Sequence, residues 1–281
     1  MECIPQEKYK ELLLSATRAK LAYLDFPIIK QLWLKYQELN NIIEFIFNGV
    51  KECPKFYQDS SNLAQAYSWK QDTTLYIIFR GTDSYKDLIT DIRVFRSKLF
   101  NNNEKLLVHT GFLFYFELLE KDITNEIESK KNSIDTICFN GHSLGSAVST
   151  IASAFYKNKY SNKKILNQTI GSPRVGNNNF VKWFNDLDIE NIRIANTKDP
   201  ITLFPISLFY KHIDNCIYIN DKLVVKEKKK DVNWFMRLLQ LPFHIYYRDP
   251  FSRHKCDTYI DRLYTLANWN VKKFDLIIVK N

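Results

Sequence analysis

An α/β chain with a central, mostly parallel sheet flanked by helices is the fold this sequence predicts, and three observations carry the prediction. Short runs such as "TLYIIF" and "IDTICFN" are apolar on both faces, as strands buried within a sheet should be. From residue 74 onward such runs alternate with segments of helical spacing, which is the pattern of a parallel sheet covered on both sides. At 281 residues, with 45% apolar and 25% charged side chains, the chain can bury a sizeable core. Residues 1–281 are accordingly read as one domain.

The elements follow in order. Leu12, Leu13, Ala16, Ala19, Leu21, Ala22 and Tyr23 recur at near-helical spacing and predict an amphipathic helix over 6–24, ended or interrupted by Pro27. "NIIEFIF" (41–47), "LAQAYSWK" (63–70) and "TLYIIFRG" (74–81) read as strands. A polar, charged connection (82–109) leads to a helix over 110–129 and then to the strand "IDTICFN". A helix opening on small residues continues through Phe155. Strands at 164–172, 191–197 and 216–220 follow, with a helix at 177–186 between the first two. The last third, 221–281, is the least regular and holds a helix at 252–267.

Net charge is +9 and the pI near 9.1, so anionic partners have to be weighed. The basic residues are scattered except in "VKEKKKD" (225–231), which reads as a solvated loop; no nucleic-acid partner is expected. Five cysteines, odd in number and widely spaced, form neither metal-binding pairs nor a disulfide scaffold. With no signal-peptide pattern at the start, the expectation is a cytoplasmic protein. The apolar stretch "VNWFMRLLQLPFHIYY" (232–247) is too short to span a bilayer and is interrupted by Arg237, Pro242 and His244, so no transmembrane anchor is expected.

The stretch "FNGHSLGSAV" (139–148) places Ser143 between Gly141 and Gly145, after a strand and before a helix. In that context the G-x-S-x-G pattern is a tight turn that lifts a serine hydroxyl above the edge of a sheet. The amide of Leu144, at the start of the following helix, can then donate to a developing oxyanion. A nucleophilic serine needs a base, and the base a carboxylate, in the chain order Ser, acid, His of an α/β-hydrolase fold. Asp199, after the strand "NIRIANT" and before Pro200, stands where the chain leaves the sheet. Of the five histidines, His212, His244 and His254 follow the serine, and order alone leaves all three open.

"IIFRGTDS" (77–84), "VHTGF" (108–112), "FNGHSLGSA" (139–147), "GSPRVGN" (171–177) and "NTKDPITLFP" (196–205) resemble, in order, the successive blocks of the class 3 lipase family, the fungal-type triacylglycerol lipases and their relatives. Six of the seven glycines, all but Gly49, fall within these blocks. The resemblance implies Ser143 as nucleophile and Asp199 as acid. It implies His254 as base, in the H-x-x-x-x-Y spacing that ends at Tyr259, and Thr82 as partner of Leu144 in the oxyanion hole. His212 resembles a family histidine that is not the base. Ser146 stands where the family usually has a glycine, a small-for-small change.

The connection 83–100 occupies the position of the family's lid, and Leu88, Ile89, Ile92 and Phe95 lie near helical spacing within it. Arg80 and Asp83 are read as a local structural pair, and His109 and His142 as packing residues rather than reactive ones. What the resemblance implies is a lipid carboxylic-ester hydrolase, without metal or organic cofactor, acting on a lipid ester substrate at a membrane or droplet surface. Triacylglycerol or diacylglycerol is the first substrate class and phospholipid or galactolipid the second; a silent lipase-like scaffold is the rival from another class.

Overall fold

A computed structural model describes residues 5–39, 41–82, 95–100, 102–205, 208–220 and 251–272, with the backbone of 226–228. Its centre is an eight-stranded sheet of β1 (Lys55–Gln58), β2 (Gln65–Gln71), β3 (Thr74–Phe79), β6 (Thr136–His142), β7 (Lys164–Ile170), β8 (Ile189–Asn196), β9 (Cys216–Ile219) and β10 (Lys226–Lys228), in that spatial order. β3, β6, β7, β8 and β9 are parallel, whereas β1, β2 and β10 join antiparallel at the two edges. The two strands skipped in that order, β4 (Arg96–Phe100) and β5 (Asn103–His109), form a separate hairpin.

Alternation along the strands decides which helix covers which face. Leu75, Ile77 and Phe79 of β3 pack with Ile137 and Phe139 of β6 beneath α4 (Thr110–Lys130) and α5 (Leu144–Lys159). Ile78 points to the other face and meets α2 (Phe26–Leu34) and α3 (Ile42–Phe47). On that second face α1 (Gln6–Leu21) and α7 (Cys256–Ala267) lie over Ile170, Ile192, Ile194, Ile217 and Ile219. Helix α6 (Asn178–Asp186) bridges β7 and β8, its amino end capped by Asn177, whose side chain accepts from Phe180 N–H. Buried amides fasten the layers. Asn140 donates to Ser15 of α1, and Asn167 lies between Ser149 of α5 and Asn191 of β8.

Several elements differ from the sequence reading. Residues 42–47 are helical rather than extended. Asn41 caps them by accepting from Ile43 N–H at 2.8 Å, and Ile42, Ile43, Ile46 and Phe47 form one buried face. A run this short and mostly apolar has no periodicity that tells helix from strand, so the cap decides. Pro27 does not close a helix but lies in the first turn of α2, where its missing N–H is not needed. The connection 82–109 holds the β4–β5 hairpin, so residues 96–100 are strand rather than part of a lid helix. Leu88, Ile89 and Ile92 lie outside the described residues, as do Asp83 and His244. Phe95 stands just before β4, 66% exposed, and its carbonyl accepts from Thr110 N–H and the Tyr210 hydroxyl. Arg80 donates to Gln65 Oε1 at 2.9 Å. Lys226–Lys228, read as loop, pairs with β9 at the sheet edge.

The crossing of α5 over β3 sets the closest approach in the core. A β-carbon at Gly145 would overlap the carbonyl oxygen of Phe79, a backbone atom of a central strand that cannot step aside. Gly145→Ala should therefore lower stability by about 1–3 kcal/mol, read as a lower denaturant midpoint at unchanged slope.

Candidate active site

Strand β6 runs into α5 through one residue, Ser143, at φ 58° and ψ −124°. That is a conformation a side-chain-bearing residue adopts only when its surroundings impose it. They do so from both sides. A β-carbon at Gly141 would lie 2.8 Å from Ser146 N and closer still to the Gly145 carbonyl, so the strand end and the helix start touch backbone to backbone. The Ser143 amide donates to Ile170 O at 3.0 Å, and Ser143 O accepts from Ser146 N–H, opening α5. Ser146, read from sequence as merely small, fastens the turn. Its hydroxyl lies 2.6 Å from Gly141 O and 2.9 Å from Ile170 O, and accepts from Ile170 N–H. Ser143 is buried, and its Oγ has no hydrogen-bond partner among the described residues.

Asp199 follows β8 and sits in a short turn of its own making. Asp199 Oδ1 accepts from Ile201 N–H at 2.9 Å. Asp199 Oδ2 receives His254 Nδ1 at 2.7 Å and the Tyr259 hydroxyl at 2.6 Å. A buried carboxylate with three donors is satisfied as an anion, and it fixes the proton of His254 on Nδ1. His254 precedes α7, and Tyr259 lies in that helix, so one segment brings both groups to the acid. Burial first, and then the Asp199 charge, push the Tyr259 phenol well above its usual range, so it donates and does not ionise. Gly171, at φ 61°, faces both members of the pair. A β-carbon there would lie 3.1 Å from Asp199 Oδ2 and 3.1 Å from the His254 ring. Ser143, Asp199 and His254 thus converge around the carboxyl ends of β6, β7 and β8.

His142, read from sequence as a packing residue, joins the turn to the histidine. Its ring centroid is 4.6 Å from that of His254, and its Nε2 donates to the His254 carbonyl at 2.7 Å. The other nitrogen, Nδ1, then accepts from the Tyr23 hydroxyl at 2.8 Å. Burial first, and the neighbouring His254 second, hold the His142 pKa well below its ordinary value, so the ring stays neutral in this tautomer. Tyr23 follows α1, more than a hundred residues away in sequence, and nothing in its local pattern marks it. Asn196 adds a further tie: its side chain donates to Arg253 O and its amide to the Tyr259 hydroxyl.

The remaining expected residues take these places. Leu144 begins α5, where the first amides have no partner within the helix. Thr82 follows Gly81, where a β-carbon would lie 2.6 Å from His142 O, so only glycine lets the chain pass there. His212 donates through Nε2 to Thr202 O at 2.7 Å, and Thr202 Oγ1 donates to Asp199 O, so His212 supports the acid turn and does not face the serine. His109 caps α4, accepting from Gly111 N–H. No cluster of His, Cys, Asp or Glu suited to a metal ion occurs among the described residues.

His142 stays neutral in the fold, whereas the unfolded chain takes up a proton near pH 6.5. Its contribution to stability is therefore present above that pH and is lost as pH falls below it. Thermal melts from pH 8 to pH 5 should show this loss. His142→Gln, which keeps one donor and one acceptor but does not titrate, should flatten the slope by up to about 1.4 kcal/mol per pH unit. Tyr259→Phe, which removes a buried hydrogen bond to the Asp199 carboxylate, should lower stability by about 1.5–3 kcal/mol, read as a lower denaturant midpoint.

The comparisons with known proteins bear on fold and family. The family model described as Lipase (class 3) matches residues 76–209. The secreted mono- and diacylglycerol lipase 1 of Fusarium solani is 30% identical over 141 residues, covering 49% of this chain and 41% of that protein. The chloroplastic phospholipase A(1) DAD1 of Arabidopsis thaliana is 26% identical over 147 residues, covering 46% and 33%. This chain thus spans less than half the length of the curated relatives it matches. The triacylglyceride lipase of Rhizomucor miehei superposes with a TM-score of 0.68 at 20% identity, over 83% of this chain and 88% of that one. The α/β-hydrolase fold expected from sequence is therefore the one observed. The cytoplasmic expectation is overturned, because relatives such as the Fusarium solani lipase are named as secreted. That expectation rested on cysteine spacing and a missing leader pattern, neither of which belongs to the fold the relatives share. Residues 76–209, which hold the strained serine and Asp199, match the class 3 lipase family, and over that stretch the chain is similar to its members.

Proposed function

We propose that this protein hydrolyses carboxylic esters of lipids through an acyl-Ser143 intermediate, in one catalytic domain. The single observation that carries the reading is the buried Asp199–His254 pair, 2.7 Å apart, set beside a serine held in a strained turn. His254 takes the hydroxyl proton through Nε2 as Ser143 Oγ adds to the ester carbonyl. Asp199 holds the proton on Nδ1 and stabilises the imidazolium that forms. The oxyanion lies against the amides of Leu144 and Thr82, at the positive end of α5. Collapse expels the alcohol, protonated by His254, and leaves the acyl ester on Ser143. Water, activated by the same imidazole, then releases the acid and restores the serine. Every group in the cycle is a side chain or amide of this chain.

Triacylglycerol or diacylglycerol at a droplet or membrane surface is the substrate class we propose first. The family of residues 76–209 and the relatives named as acylglycerol lipases support it. A phospholipase A1 activity is the second reading, favoured by the net charge of +9, which suits an anionic surface, and by the phospholipase relative. None of the described helices is long and apolar enough to cross a membrane, so the reading has the substrate approached from the aqueous side.

Labelling with a fluorophosphonate probe and mapping the adduct by mass spectrometry tests the nucleophile: the adduct is expected on Ser143. A probe that leaves Ser143 unmodified in detergent would replace the hydrolase with a binding scaffold. Ser143→Ala should lose activity by a factor on the order of 10⁶ in kcat while keeping its fold. His254→Ala should fall comparably, and His212→Ala should retain its pH profile with at most a stability loss. Rates on emulsified triolein against phosphatidylcholine vesicles separate the two substrate classes.

A further inference from the structure

Away from the nucleophile, a groove of about 630 Å³ runs between α1, α3 and the second face of the sheet. Arg18 of α1 lines it. Arg18 is only 5% exposed, and among the described residues its Nε has no hydrogen-bond partner and no carboxylate forms an ion pair with it. The guanidinium carbon lies 4.3 Å from the centroid of the Tyr76 ring. A cation–π contact offsets only part of what removing a guanidinium from water costs. Gln168 of β7 lines the same groove, 4% exposed: its amide donates to Glu11 at 2.8 Å, and its Oε1 has no partner. Two side chains, each more than nine-tenths buried, thus bring to one groove a polar atom that has no partner among the described residues, as a site for a polar ligand would.

The remaining walls say what kind of ligand fits. Leu14, Leu166, Phe45 and Trp269 supply apolar surface, the last two in ring contact at 4.5 Å. The groove also carries the acids Glu7 and Glu11, but Glu7 pairs with Lys10 at 2.8 Å and Glu11 holds the Gln168 amide. These acids would repel a dianion such as phosphate, whereas a single negative charge can be balanced at Arg18. We propose that the groove binds a long-chain carboxylate, with its head group on Arg18 and its chain along Leu14, Leu166, Phe45 and Trp269. The site is separate from the serine, since Tyr76 and Leu166 lie toward the amino ends of their strands and Ser143 follows the carboxyl end of β6. This inference does not depend on the hydrolase reading, although a long-chain carboxylate is the class of product that reading would release.

Titration calorimetry on the full chain with laurate below its micelle concentration tests the proposal. Ser143 is first phosphonylated with a long-chain reagent so that the cleft above it is filled. One laurate should bind, and dodecanol, with the same chain and no charge, should bind at least about tenfold more weakly. Arg18→Met should weaken laurate by about tenfold or more and leave dodecanol unchanged, while Arg18→Lys should retain part of the difference. Equal affinity for laurate and dodecanol, laurate binding unchanged in Arg18→Met, or displacement of laurate by equimolar inorganic phosphate would each overturn it. Should Arg18→Met fail to fold, the laurate and dodecanol comparison on the unaltered chain decides, together with Leu166→Trp, which fills the groove and should abolish binding. If the reagent leaves Ser143 unmodified, the hydrolase reading fails, and the same titration on unlabelled protein still judges the groove.

Discussion

The backbone contact between the end of β6 and the start of α5 is the constraint on which the rest of this structure depends. Gly141 and Gly145 let the strand and the helix approach closer than any β-carbon permits, and Gly145 at the same time seats α5 on the carbonyl of Phe79. A serine between them has no ordinary conformation left to it, and it is held at φ 58°. The strain is offset by the packing on either side: Phe79 and Phe139 beneath α5, and the Ser146 hydroxyl tying the turn to β7. Loosening any of these would let the serine relax out of register with the acid and the histidine.

A second layer of constraint is electrostatic. Three buried donors make Asp199 comfortable as an anion, and that anion orders the His254 ring. His142 faces the opposite requirement. It must stay uncharged to lie 4.6 Å from His254 while accepting from Tyr23 and donating to the His254 carbonyl. Burial supplies that neutrality. The turn that presents the serine and the loop that presents the histidine are therefore linked by one imidazole. α1, by way of the tyrosine that follows it, is the outer support of this link.

How much of this was legible in the sequence varies with how local the cause is. Strands β3, β6, β7, β8 and β9, with α4 and α5, were legible because each carries its own periodicity or apolar run. The turn at Ser143 was legible because glycine spacing is a local record of a close approach. Residues 42–47 were misread as strand because a short, mostly apolar run is ambiguous and the deciding feature, the Asn41 cap, is a single hydrogen bond. The β4–β5 hairpin was missed because seven of its twelve residues are polar, so its few buried positions do not stand out along the sequence.

By itself the sequence determined the α/β class, the order of the central strands along the chain, the strained serine and, through the resemblance of its motif blocks, the acid that follows β8. These are properties written within a few residues of one another, in glycine placement, apolar periodicity and proline position. Only the tertiary structure decided the histidine's surroundings and the roles of Tyr23, His142, Ser146 and Tyr259, because those depend on side chains from elements far apart in sequence meeting at one sheet edge. The unpaired Arg18 belongs to the same category. An arginine in an amphipathic helix reads as a solvated charge until the helix is seen lying on the sheet with that charge turned inward and, among the described residues, no carboxylate to meet it.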